Sequence, residues 1–347
     1  MKILESYFDL CIAQKASDLH LVGAELPTVR IEGELKTVSE TPLDNEGLKA
    51  ELLSLCSEAQ RGEFEKTGDL DFAHEYKGQR FRLNIHMQDK NIGMSCRLVP
   101  STIPSPEELG FEAPLKEFIH LRDGLVLVVG PTGHGKSTTI ASMVEQINQT
   151  RKSHIITIED PIEFLFKDKL SLIEQREVGA DTISFASALK HVLRQDPNVI
   201  VLGEMRDPDT ISTALSAAET GHLVFSTLHT SSAAEAIERI IDAYEGSKQK
   251  QILIQLSSVL RGVVAQHLLP TLKGARVAVR EILVNTPAVA NLIRTNNITQ
   301  LYSAIETGLK DGMITMEHSL AALFDAGLIS RESADAGSFR HKKMLSS

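Results

Sequence analysis

Cysteine is scarce and scattered in this chain: Cys11, Cys56 and Cys96 are the only three in 347 residues, and no two form a C-x-x-C pair. That spacing argues against a zinc site or a disulfide framework and leaves buried, reduced thiols as the reading. Basic residues are outnumbered, 36 Lys and Arg against 46 Asp and Glu, for a formal charge of −10. A nucleic-acid groove needs clustered Lys and Arg, and no basic stretch interleaved with aromatics occurs in a chain that is 5% aromatic. A motor that tracks nucleic acid is therefore disfavoured. No apolar run approaches the roughly 20 residues that a membrane-spanning helix needs. The segment Met1–Ser6 carries an early acid and none of the apolar region and cleavage site of a signal peptide, so the expected location is cytoplasmic. Internal repeats and low-complexity segments are absent as well.

What is present is an ordinary globular composition, 42% hydrophobic and 24% charged, in a chain long enough for two domains. Residues 2–15 and 44–59 have apolar side chains at helical spacing, and short strands around Val29, Ile31 and Leu35 lie between them. Three further strands, 69–76, 79–87 and 92–99, complete a small α+β domain over residues 1–99. Pro100, Pro104, Pro106, Gly110 and Pro114 then punctuate a linker over 100–113 that can serve as a hinge. Beyond it the pattern changes to α/β alternation over 114–347. Strands are predicted at 124–129, 154–159, 171–176, 198–203, 222–227 and 276–284, and helices at 136–149, 184–195, 208–220, 231–243 and 248–266, before a helical tail. Wholly apolar strands such as Val199–Leu202 suit a sheet covered on both faces.

One segment dominates the functional reading. Gly130-Pro131-Thr132-Gly133-His134-Gly135-Lys136-Ser137-Thr138 follows the apolar run Leu125–Val129 and precedes a helix. It fits G-x-x-x-x-G-K-[ST], the phosphate-binding loop, in the strand-before, helix-after context that makes the pattern specific. Its glycines let backbone N–H groups curl around phosphate oxygens at a positive helix end. Lys136 would meet the β- and γ-phosphates of ATP, and Ser137 would offer a hydroxyl to Mg²⁺. ATP hydrolysis also needs a carboxylate at a neighbouring strand end. Glu204, which ends the strand Val199–Leu202, is the candidate for orienting water and sharing Mg²⁺, against the plainer reading of a cap on the next helix. A second acidic cluster, Glu159, Asp160 and Glu163, ends the preceding strand, and for Asp160 the reading as a solvated turn stands. His222 and His229 bracket the strand Leu223–Leu228. They are placed beside the acidic strand ends, where an imidazole can contact a γ-phosphate or serve structure alone. In the small domain, Arg80, Arg82 and Arg97 alternate with apolar residues, forming either a solvated face or arginine fingers directed at a neighbouring subunit.

The phosphate loop, the acidic box Thr157–Phe164, Gly203-Glu204-Met205-Arg206-Asp207 and the run Gly221–Thr230 occur in the order that resembles the four motifs of type II/IV secretion ATPases, in particular the pilus-retraction branch. The resemblance covers essentially the whole chain. It implies a PAS-like N-terminal domain, a RecA-like P-loop domain with C-terminal helices, and a homo-hexameric ring at the inner-membrane base of a type IV pilus. The ring would work on an inner-membrane platform protein, with a paralogous retraction ATPase as a further partner. By match, Glu204 is the Walker B glutamate, Glu159 and Glu163 the acidic-box residues, His222 and His229 the histidine-box pair, and Arg82 and Arg97 the arginines that cross a subunit boundary. Two departures stand out: His134 replaces a small residue of the loop, and Ala290 replaces an arginine in the segment Ala288–Arg294 that is associated with retraction. The Ala290 change weakens the retraction direction and leaves the ATPase reading untouched, while the basic tail Arg340–Lys343 resembles the accessory paralogue. The absence of a tetracysteine insert argues against an extension motor or a type II secretion ATPase.

Overall fold

In the computed structural model, which describes residues 3–31, 33–100 and 102–336, the chain divides into two units, Met1–Thr102 and Ile103–Ser347. The first unit contains α1 (Ile3–Gln14), β1 (Asp18–Val22), β2 (Thr28–Ile31), β3 (Glu34–Thr37), α2 (Asn45–Ser54), α3 (Glu58–Thr67), β4 (Asp69–Tyr76), β5 (Gln79–Gln88) and β6 (Asn91–Leu98). Its sheet is antiparallel throughout, in the order β3-β2-β1-β6-β5-β4. Alternation along β5 sends Phe81, Leu83 and Ile85 into a core shared with Leu4, Phe8, Leu48 and Leu52 from α1 and α2.

The helix expected over 44–59 is in fact two helices. Ser57 accepts from the Gln60 amide while the Gln60 side chain accepts from the Ser57 amide, a reciprocal cap that starts α3 afresh. Gly68, in the left-handed region at φ 78°, stops it. Only Phe64 of α3 is buried, so the helix has little apolar periodicity to betray it.

Cys11, Cys56 and Cys96 are all free and buried. Burial pushes the Cys11 thiol up to about 11 and raises Cys56 and Cys96 as well, which suppresses the reactive thiolate. A chromogenic thiol reagent at pH 8 is therefore expected to titrate none of them in the native protein and all three after denaturation. Fast reaction of the native protein would show that this core opens readily.

The second unit has α4 (Ala113–His120), β7 (Gly124–Val129), α5 (Lys136–Thr150), β8 (His154–Glu159), β9 (Leu172–Glu177), α6 (Phe185–Val192), β10 (Val199–Leu202), α7 (Pro208–Glu219), β11 (Leu223–Leu228), α8 (Ala233–Asp242), α9 (Gly246–Val259), β12 (Leu260–Pro270) and β13 (Arg276–Val284). Helices α10 (Pro287–Arg294), α11 (Leu301–Thr307) and α12 (Met316–Asp325) follow. The seven-stranded sheet runs β13-β12-β7-β11-β10-β8-β9, parallel except for β13. Strands β7, β10 and β11 are buried at every position, and separate apolar clusters cover the two faces of the sheet.

The helix expected over 248–266 is corrected here. Helix α9 ends at Val259, and the chain continues directly into β12 beside β7. Val263, Val264 and Ala265 are all buried, so they show neither a helical nor an alternating pattern. Gly262 was the available signal. It lies at a register shift, and a Cβ there would fall 2.1 Å from the Phe118 ring. Helix α4, adjoining the expected linker, was also not anticipated. The tail residues Arg340–Lys343 lie outside the described residues.

Candidate nucleotide site

The phosphate loop leaves the buried end of β7 between two neighbouring strands. The Gly130 amide donates to the Leu228 carbonyl at 3.3 Å. On the other side a Cβ on Gly130, at φ 147°, would come within 2.3 Å of the Gln266 carbonyl oxygen. Gly135 at φ 78° forms the N-cap of α5, a conformation that a side chain would strain. With no side chain capping α5, its first amides point to the space that the loop encloses.

Lys136 is 7% exposed, and its Nζ donates to the carbonyls of Gly130 at 2.8 Å and Pro131 at 3.0 Å. Burial lowers its pKa, opposed by the charges of Glu163 and Glu204. Glu204 follows β10 and is held at the strand edge by its neighbours. The Gly203 amide donates to the Ile158 carbonyl, Thr227 Oγ1 donates to the Gly203 carbonyl at 2.6 Å, and the Met205 amide donates to the Thr227 carbonyl. The Glu204 carboxylate is 3.3 Å from His229 Nε2 and forms an ion pair with Arg206.

His229 joins the acid to the lysine. Its Nδ1 lies 3.4 Å from Lys136 Nζ and 3.3 Å from Thr132 Oγ1. An ammonium can only donate, so Nδ1 is the acceptor and the proton sits on Nε2, directed at Glu204. This tautomer makes a continuous Lys136–His229–Glu204 chain at the carboxyl ends of β7, β10 and β11.

Glu159, at the end of β8, accepts from Thr157 Oγ1 at 2.7 Å, Gln175 Nε2 at 3.2 Å and the Glu163 amide at 3.3 Å. Burial raises its pKa, and these three donors oppose the rise. Its hydrogen bonds brace the turn that carries Glu163.

His222 is a correction. It precedes β11, so it lies at the opposite end of that strand from His229, roughly 20 Å away along six residues. Its Nδ1 lies 2.9 Å from the Ala217 carbonyl and 3.1 Å from Thr220 Oγ1 at the end of α7, and its carbonyl accepts from Gly124. Within this subunit it is not beside the phosphate loop.

His134 also has a defined place: Nδ1 accepts from the Leu268 amide at 3.0 Å, and the ring meets His267 edge-on at 5.2 Å. The loop is thus tied to β12. Ala290 is half-buried on α10, a helix anchored through Val289 and Ile293.

Arg82 and Arg97 belong to the first unit. They face each other across β5 and β6, and Arg97 in turn faces Asp18 across β6 and β1. Arg97 Nε donates to Asp18 at 2.8 Å while two-thirds of its side chain stays exposed. Asp18 therefore relieves the repulsion between adjacent guanidinium groups.

Sequence reasoning named Thr132 and Arg206 within their motifs but did not anticipate the contacts of Thr132 with His229 or of Arg206 with Glu204, and it did not single out Gln266 behind the loop. The mistaken helix over 248–266 hid Gln266.

A seven-stranded sheet with a phosphate loop after its third strand β7, a histidine after the adjacent β11 and an acid after the next strand β10 defines a P-loop ATPase class. The family profile described as "Type II/IV secretion system protein" matches residues 2–322, and the chain belongs to that family. The chain is 45% identical over 322 residues to the type IV pilus retraction ATPase PilT of Pseudomonas aeruginosa, covering 92% of this chain and 94% of that protein. It is 39% identical over 332 residues to the type IV pilus ATPase PilU of the same organism, covering 95% and 87%. A crystal structure of the pilus retraction motor PilT with bound ADP superposes with a TM-score of 0.89 at 46% identity, covering 97% of each chain. Within its family the chain lies in the PilT/PilU branch.

Proposed function

We propose that this protein is the ATP-hydrolysing motor of type IV pilus retraction, acting as a homo-hexamer on an inner-membrane platform protein. The observation that carries the reading is the Lys136–His229–Glu204 chain at one strand edge. It joins the group that would hold the γ-phosphate to the group that would direct water. Glu204 orients or deprotonates the water, and His229 senses the phosphate through the hydrogen bond it shares with Lys136. The acid Glu163, braced by Glu159, lies in the same electrostatic field.

Mg²⁺ fits this donor set. Among the described residues no cluster of three or more His, Cys, Asp or Glu side chains could hold a metal unaided. A hard cation held by the Ser137 hydroxyl, Glu204 and the nucleotide's own phosphates matches its preference for oxygen and for substrate ligation. When bound, the ion would neutralise charge on the phosphates.

Arg82 and Arg97 are proposed to act on nucleotide held by a neighbouring subunit. Arginine fingers contribute about 10³–10⁵ in rate, so sharing the role between two should cost each single alanine variant about 10² in turnover. Mixing either variant with Lys136→Ala protein should restore part of the activity through hybrid interfaces. Complete failure to complement would place both arginines outside a shared site.

Imaging of labelled pili in a deletion strain tests the function. Cells should keep long pili that do not shorten. Loss of pili altogether would indicate extension instead. Shortening at reduced force would indicate the accessory role that Ala290 and the PilU likeness suggest.

A further inference from the structure

The phosphate loop is gripped from behind by a buried amide. Gln266 in β12 is 1% exposed. Its Nε2 donates to the His134 carbonyl at 2.8 Å, and its Oε1 accepts from Thr139 Oγ1 at 2.9 Å and Arg280 Nε at 2.8 Å. A carbonyl on one side and donors on the other fix the orientation of the amide and require a residue that can both donate and accept. A carboxylate in its place would meet the His134 carbonyl oxygen as a second acceptor.

Arg280 continues the connection. It faces Gln266 in the β12–β13 register and is itself 1% exposed. Its Nη1 donates to the Glu112 carboxylate at 3.0 Å and the Gly110 carbonyl at 3.3 Å, and its Nη2 donates to the Leu109 carbonyl at 3.1 Å. The guanidinium lies 5.3 Å from the centre of the Phe111 ring. Glu112 occupies the N-cap of α4 yet makes no capping hydrogen bond, because its carboxylate is directed to Arg280 instead. Two side chains thus connect the loop carbonyl at 134 with the stretch 109–112, just inside the second unit from the chain crossing at 102–103.

We infer that Gln266 and Arg280 are positioning residues of the nucleotide site. Gln266 sets the His134 peptide, and with it the amides that would face phosphate. Arg280 ties that setting to residues 109–112, so that occupancy of the loop is transmitted to the segment leading out of the unit. A buried polar chain at low dielectric suits this role, since movement of one member leaves a partner unsatisfied and the members shift together. The inference rests on the proposed nucleotide binding.

Hydrogen exchange on the full chain, with and without ADP, tests it. The amides of Leu109, Gly110 and Phe111 donate to the carbonyls of Ser105, Glu107 and Pro106, so their exchange reports opening of this turn. In the parent protein, ADP should slow exchange both across the phosphate loop and, by about tenfold, at these three amides. In Gln266→Leu the loop should still gain protection, with ADP affinity about tenfold weaker, while the response at 109–111 falls below about twofold. Gln266→Glu keeps an acceptor for Arg280 and Thr139, turns the donor to His134 into a second acceptor, and adds a negative charge that the Arg280 guanidinium balances. It should lose the same response and remain folded if the leucine variant does not. A full response at 109–111 in Gln266→Glu, or none in the parent while its loop is protected, overturns the inference and leaves nucleotide binding standing. No protection of the parent's loop would remove both.

Discussion

Glu204→Gln protein is expected to bind ATP about as tightly as the parent and to hydrolyse it about 10³-fold more slowly, within the 10²–10⁴ that a positioned general base contributes. The substitution keeps the size of the side chain and its place at the end of β10, which the backbone bonds of Gly203 and Met205 determine. It removes the charge that His229 and Arg206 address. Lys136 and the amides of the loop are unaltered, so binding should persist. Phosphate release and the fluorescence of a labelled ADP measure the two quantities separately. Turnover within tenfold of the parent would show that another group handles the water, and the nearby Glu163 would be the first to test.

Lys136→Ala should produce the opposite separation, losing binding itself. The ammonium already lies inside the loop, bonded to two of its carbonyls, and needs only to exchange those acceptors for phosphate oxygens. A hydrogen bond to a charged group contributes about 1.5–3 kcal/mol, so losing two weakens affinity by roughly 10²–10⁴-fold. Lys136→Met tests charge at nearly constant length and should behave alike. Lys136→Arg should not rescue, because a planar fork cannot fit where a compact ammonium fits. Thermal melting within a few degrees of the parent would show that the loss is one of binding. Retention of tight binding in the alanine variant would mean that the amides alone suffice.

Much of this site was legible in the sequence because its chemistry is local. The loop's glycines, Lys136 and Ser137 are consecutive, and Glu204 ends a short apolar strand whose neighbours have the same character. The relation of Glu204 to His229 could be anticipated from strand order, since both follow buried strands. His222 was misplaced for a related reason. A strand has two ends, and a pair of histidines bracketing it must lie apart; the spacing in sequence concealed the length in space. Strand β12 was misread because full burial erases periodicity, and the error hid Gln266. Arg280 was visible as a charge within a strand, but its partners at 109–112 are remote in sequence, and no local rule connects them. The boundary at Ser57 was readable in principle through its S-x-x-Q cap and was outweighed by the apolar spacing that precedes it.

The antiparallel hairpin β12–β13 has a consequence for how such a protein can be altered. Because β12 lies directly against β7 and β13 covers β12, the last quarter of the chain is no appendage. Cutting after α9 would bare the flank of the strand that launches the phosphate loop and discard the amide that grips it. The helices beyond Val284 are tied to the same hairpin, through the Ile282–Ile314 bridge and the Arg280 amide on Ser319, so an exchange there has to preserve those two contacts.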